Sequence, residues 1–197
     1  MLEKRNLTKE IKEKEGDIIY LYNSGHVRRA VGSVQTIDWQ AGSPYYYLDE
    51  KGKLKRSQSF EIGRPVVTFI YKLISASRIL KLLKRNIPTI NDQHVTLSCE
   101  LINGMKNRIL SFFPKSQFIT AIHESNLDPE NDQKLEKCLN NKKIKIIKVN
   151  NSPKLAHDKI INLQLEDGHL NPLGNAVLAK NISQELQYFH NAQVKKN

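Results

Sequence analysis

The sequence predicts an α/β fold built on a parallel sheet with helices on both faces. Three observations carry this expectation. Three short runs rich in Ile, Val, Phe and Tyr, at residues 17–22, 117–122 and 144–149, have the length and β-branched content of strands. Segments of helical length lie between and after them, several opening on Pro or Asn. The resulting order (strand, helices, strand, helix, strand, helix) implies crossover connections and therefore parallel strands. The 197 residues suit a single domain, long enough to bury a core without a metal or disulfide staple.

Taken in order, residues 2–15 read as a charged helix with Leu7 and Ile11 on one face, ended by Gly16. The run 17–22 is the first strand and 23–26 a polar loop at its C-terminal end. Residues 26–34 form a short helix. The stretch 35–62 changes character and reads as an insertion. In it Pro44-Tyr45-Tyr46-Tyr47-Leu48, a turn at Asp49-Glu50-Lys51-Gly52 and Lys53-Leu54-Lys55 make a β-hairpin. Two long helices follow, 65–86 with Pro65 at its first position and 92–112 capped by Asn91 or Asp92. Pro88 separates them and Pro114 follows the second. The second strand (117–122), a helix over 129–140 and the third strand (144–149) come next. After an apolar stretch at 160–165, a last helix spans 172–188, with Leu173, Val177, Leu178, Ile182 and Leu186 on a helical period. Residues 190–197 read as a flexible tail.

Composition excludes several classes. At 39% apolar and 26% charged the chain is polar but not disordered, and nine Gly and seven Pro exclude collagen-like repeats. Cys99 and Cys138 are too few for a disulfide scaffold and form no zinc-type cluster. There is no P-loop and no GxGxxG, so no cofactor is expected. The first fifteen residues alternate charges and carry no signal-peptide core, and the most apolar stretch, 66–83, is broken by Lys72, Arg78 and Lys81. The expectation is a chain without a membrane span, cytoplasmic as written. The net charge of +11 raises nucleic acid as a partner, but it is spread evenly along the chain, and the densest run, 142–148, alternates like a strand. A basic solvated surface accounts for it better than a nucleic-acid interface.

The chemistry concentrates in Glu166-Asp167-Gly168-His169-Leu170-Asn171-Pro172-Leu173-Gly174 and the residues after it. Asn171 is a natural N-cap and Pro172 a natural first helical residue, so Asp167 and His169 lie in the loop entering the last helix. A carboxylate two residues before a His can orient an imidazole acting as general base. The Asp-Gly pair is equally at home in an ordinary turn. The run resembles the last block of the SGNH/GDSL hydrolase family, Asp-(Gly)-His-x-Asn-x-x-Gly-x-x-x-x-Ala, with Asp167, His169, Asn171, Gly174 and Ala179 in place. That resemblance implies a flavodoxin-like three-layer fold and a Ser-His-Asp triad in which Asp167 and His169 are the acid and base. Glu166, three before the His, is the reserve acid. It also implies that the loop after the first strand builds the oxyanion hole, giving Gly25, His26 and Arg29 within Asn23-Ser24-Gly25-His26-Val27-Arg28-Arg29. Without the resemblance, the two arginines are surface charges and His26 starts a helix.

The family's Gly-Asp-Ser nucleophile block has no counterpart in the sequence. Ser24, Ser33 and Ser43 each neighbour a Gly, but only Ser24 follows a strand, and it belongs to a different block. The resemblance thus covers about residues 16–185 and leaves the sheet N-terminally incomplete. The expectation is a truncated acyl- or acetyl-ester hydrolase domain, weakly active or inactive. Its substrate would be a small-molecule or glycan ester, and a separately encoded N-terminal fragment would be its partner. Loss of an N-terminal segment would also allow an envelope or secreted location. The rival readings are a non-catalytic α/β interaction module and a basic nucleic-acid binder. Further candidates are His123-Glu124 at a strand end, where open α/β sheets bind ligands, His94 at a helix start, His157-Asp158, and Tyr45-Tyr46-Tyr47 as a binding lip.

Overall fold

The strand over Gln117–His123 is buried along almost its whole length, and a parallel sheet is assembled around it. The structure is a computed structural model, which describes residues 11–77, 87–123, 128–149 and 170–194. The chain divides into two compact units, one of Met1–Asn23, Phe113–Leu127 and Lys143–Asn197, the other of Ser24–Phe112 and Asp128–Lys142. None of the described helices is long and apolar enough to cross a membrane.

In the first unit, β1 (Asp17–Tyr22) and β5 (Lys145–Val149) flank β4 (Gln117–His123), and both pairings are parallel. Register partners share a face, so Ile19, Leu21, Ile119, Ala121, Ile147 and Val149 lie on one side. The last helix, α7 (Pro172–Val194), covers that side, packing Leu178, Ile182, Leu186 and Phe189 against Ile119, Ala121, Ile147 and Val149. Its last turns meet the beginnings of the strands. His190 Nε2 lies 2.7 Å from Asp17 Oδ2, and the Lys145 ammonium sits 5.0 Å from the Phe189 ring centre. The helix therefore runs antiparallel to the strands and begins at their C-terminal ends. It covers β4 and β5 better than β1, where Ile19 and Leu21 remain 38% and 37% exposed. On the other side of the sheet Tyr22, Phe118, Thr120 and Ile122 are buried.

The second unit is helical with a hairpin. It comprises α1 (Gly25–Ala30), α2 (Ile37–Gln40), the antiparallel pair β2 (Tyr46–Leu48) and β3 (Leu54–Arg56), α3 (Phe60–Gly63), α4 (Pro65–Ser75), α5 (Asp92–Phe112) and α6 (Pro129–Asn141). The hairpin turn forms where the sequence places it. Asp49 Oδ1 accepts from the backbone N–H of Lys51 and Lys53, at 3.1 and 2.8 Å, and Gly52 takes the left-handed conformation at φ +70°. Asn91 caps α5, its Oδ1 accepting from the His94 N–H at 3.1 Å. A disulfide between Cys99 and Cys138 joins α5 to α6 with Cα atoms 6.2 Å apart, beside the fully buried Leu135 and Leu139. Two ion pairs flank it, Lys142–Glu100 at 2.5 Å and Lys134–Asp92 at 2.7 Å.

Several expectations need correction. Residues 11–15 are not helical, and residues 1–10 lie outside the described residues, so the charged N-terminal helix does not extend to Gly16. The helix expected over 65–86 ends at Ser75. There Ser75 Oγ donates to the Asp38 carboxylate and contacts the Lys72 carbonyl, and the Ser77 N–H bonds the Ile74 carbonyl three residues back, tightening the last turn. Residues 78–86 lie outside the described residues. The last helix runs past residue 188 to Val194, through the first five residues of the expected tail. The short helix after β1 stops at Ala30 rather than residue 34, because Gly32 takes a left-handed φ of +56°.

The disulfide closes a loop across a sequence separation of 39 residues, and in the chain-entropy account a loop of that size is worth roughly 4 kcal/mol, with 2–4 kcal/mol typical of measured cases. Reduction with dithiothreitol, or the Cys99→Ser/Cys138→Ser pair, is expected to lower unfolding stability by about 3 kcal/mol in urea titrations. An unchanged midpoint would show that the helices hold together without the bond.

Candidate functional site

The C-terminal edge of the parallel sheet is where an open α/β fold gathers side chains for chemistry. On that edge β4 ends at His123, whose Nε2 is buried with no hydrogen-bond partner among the described residues. The start of α7 lies at the same end. Asn171 Oδ1 accepts from the Gly174 N–H at 2.8 Å, and the Asn171 carbonyl accepts from the Asn175 N–H at 2.9 Å. Asn171 thus caps the helix, Pro172 occupies its first turn without wasting a donor, and Gly174 is buried. Asp167, His169 and the reserve acid Glu166 lie outside the described residues, as do Glu124 and the His157-Asp158 pair.

In the second unit, Gly25, His26 and Arg29 all fall on the six-residue α1. His26 is half-buried, and loss of hydration, reinforced by the nearby Arg29 charge, lowers its pKa from 6.5 to about 4. Its imidazole is therefore neutral near pH 7, the form in which one ring nitrogen donates and the other accepts. Arg29 is exposed, with its guanidinium 5.6 Å from the centre of the Trp39 ring. Arg28 donates to Gln35 Oε1 at 3.2 Å. Ser24 directly precedes α1 without capping it through its side chain. Ser33 is fully buried, with its Oγ 3.4 Å from Thr36 Oγ1 and its carbonyl accepting from Thr36 and Ile37, so it serves the turn into α2.

A cleft of about 510 Å³ in this unit is lined by the hairpin residues Tyr45, Tyr46 and Tyr47 together with Arg64, Gln93 and His94. The tyrosine lip expected from the sequence does face a cavity. Tyr45 stacks on Tyr47 at 5.6 Å and tilts against Phe60 at 5.2 Å. His94 is a capping residue, its Nδ1 accepting from the Asn91 N–H at 3.3 Å. Burial lowers its pKa, with the Arg64 charge adding to the effect against a hydrogen bond to Thr89.

Arg64 is the residue the sequence reading missed. Its position before Pro65 looks like an ordinary helix start, and no spacing in the sequence announces the aromatic rings that meet around it. The disulfide was missed for a similar reason, since two cysteines 39 residues apart carry no pairing signal until both helices are placed.

The lowered His26 pKa has a signed consequence. Between about 4 and 6.5 the unfolded chain binds a proton at His26 that the folded chain does not. This contribution to stability is present above pH 6.5 and is lost as pH falls towards 4. In an NMR titration His26 is expected to stay neutral down to about pH 4, and the His26→Gln variant should lose part of the decline in stability across that window. A His26 midpoint near 6.5 would contradict the half-buried placement.

No protein-family model, curated protein or solved structure matches this chain.

Proposed function

We propose that the chain carries the acid–base half of an SGNH/GDSL-type acyl-ester hydrolase site on a three-layer α/β scaffold. The observation that carries this reading is the start of α7. Asn171 as N-cap, Pro172 in the first turn and a buried Gly174 are what the motif Asp167-Gly168-His169-Leu170-Asn171-Pro172-Leu173-Gly174 requires of its second half. The helix also begins at the C-terminal end of a parallel sheet, and the strand order β1-β4-β5 suits that scaffold.

In this reading His169 is the general base and Asp167 orients its imidazole. The acyl carbon would be attacked by an oxygen whose proton passes to His169, and that proton then leaves with the alcohol. No Gly-Asp-Ser block is present in these 197 residues, so water is the nucleophile His169 can serve here, and turnover is slow. The Cys99–Cys138 disulfide supports an oxidising compartment, envelope or extracellular, as the place where the chain works.

Hydrolysis of nitrophenyl acetate by the purified chain, by His169→Ala and by Asp167→Asn tests this reading. The expected result is a slow rate above buffer that falls at least about tenfold in both variants, within the usual reach of general-base catalysis. A rate unchanged in both variants overturns the assignment. Fast hydrolysis with covalent labelling of a serine by a fluorophosphonate would show a nucleophile inside this chain.

A further inference from the structure

The cleft beside the hairpin is built like a ligand site. Its volume of about 510 Å³ falls within the roughly 300–1,000 Å³ usual for sites that enclose a small molecule. Tyrosines from the hairpin line it, together with the buried side chains of Val31 and Leu97. An aromatic and apolar lining with a few polar groups is the ordinary make-up of such a site.

Most of the charge in the wall is already engaged. Arg64 Nη2 donates to the Gly32 carbonyl, and its guanidinium lies against the rings of Phe60, Tyr45 and Tyr71. Asp49 Oδ1 holds the Lys51 and Lys53 N–H groups of the turn, and Oδ2 lies 3.7 Å from Lys55 Nζ. His94 serves the Asn91 cap. Four polar groups in the lining have no hydrogen bond or ion pair among the described residues. They are the Tyr46 and Tyr47 hydroxyls, the Gln93 amide and the Glu50 carboxylate.

Tyr47 also offers a ring. It is 40% exposed, with Tyr45 stacked on it at 5.6 Å and 25° between the planes. Among the described residues no second ring and no cation is stacked on Tyr47.

These groups select a ligand by charge. A cation would meet Arg64, which already occupies the rings of Tyr45 and Tyr71. An anion would find no unengaged cation in the lining and one unengaged carboxylate, Glu50. A neutral ligand with an apolar face and a hydroxyl rim meets neither obstacle. A sugar ring has both. The C–H bonds of one sugar face suit the electron-rich face of a tyrosine ring. Its hydroxyls can donate to the Glu50 carboxylate and the Gln93 carbonyl and accept from the Gln93 amide and the tyrosine hydroxyls.

We infer that this cleft binds a neutral saccharide, with a sugar ring stacked on Tyr47 and its hydroxyls bonded to Gln93 and Glu50. The inference does not rest on the hydrolase reading, and the two fail separately.

Binding of the full chain to an array of immobilised glycans tests it. The array carries neutral glycans ending in glucose, galactose, mannose or an N-acetylhexosamine, beside uronate-bearing and free-amine-bearing glycans. Binding to at least one neutral class is expected. It should weaken at least about tenfold in Tyr47→Ala and in Gln93→Ala, and less in Tyr47→Phe, which keeps the ring. Both positions are exposed, and circular dichroism with the unfolding midpoint checks that each variant is folded. In NMR spectra the amide shifts caused by the bound glycan should cluster at residues 45–50 and 93–94. Absence of binding to every neutral glycan overturns the inference, as does neutral binding that both Ala variants leave unchanged. Tighter binding of uronate-bearing or amine-bearing glycans than of neutral ones also overturns it, because a charge would then be the recognised group.

Discussion

The helical unit depends on where it places the Arg64 guanidinium. Its Nη2 donates to the Gly32 carbonyl at 2.6 Å, and its centre lies 4.6 Å from the Phe60 ring and 5.5 Å from the rings of Tyr45 and Tyr71. One side chain thus ties the turn after α1 to the hairpin, to α3 and to α4. Burial lowers the pKa of Arg64, with Tyr45 and Tyr71 acting against the shift. The rings supply the face-on attraction that compensates a partly desolvated cation. Gly32 makes the contact possible, since a Cβ there would stand 2.5 Å from Nη2 and 2.6 Å from Phe60. With Arg64 pinned immediately before Pro65, the first turn of α4 is fixed, and Thr68 rather than Phe69 points inward.

This constraint links the cleft and the outward apolar face. The rings that hold Arg64 include Tyr45 of the cleft lip, and the same clamp sets the rotation that leaves Val66, Phe69 and Leu73 facing out. The other unit is governed by different physics. There a parallel sheet takes its stability from continuous apolar strands and one covering helix, and α7 places its capped start at the strand ends where chemistry is expected.

The sheet was legible in the sequence because its signals are local and agree with one another. The run Asp17–Tyr22, the run from Gln117 and the Asn171-Pro172 helix start each report their own structure without help from distant residues. The hairpin was legible because Asp49 and Gly52 are turn residues with a mechanism. Legibility failed where distant residues decide. Periodicity finds the amphipathic character of α4, but the rule that apolar faces turn inward gives the wrong rotation, because Arg64, Ser75 and Asp38 override it. The disulfide depends on the docking of α5 on α6, and the end of α4 on a side-chain bond 37 residues away in sequence. Of the candidate site, Asn171 and Gly174 stand as read and His26 is half-buried, while Asp167 and His169 lie outside the described residues.

The most direct measurement of the Arg64 clamp is the stability of Arg64→Lys, followed by urea unfolding and by hydrogen exchange of the α4 amides. Lysine keeps the charge but cannot spread a planar fork across three rings while bonding Gly32. The clamp predicts a loss of about 2 kcal/mol, from the stacking and the charged hydrogen bond together, with faster exchange across α4. An unfolding midpoint and α4 exchange rates indistinguishable from the unmodified chain would contradict it.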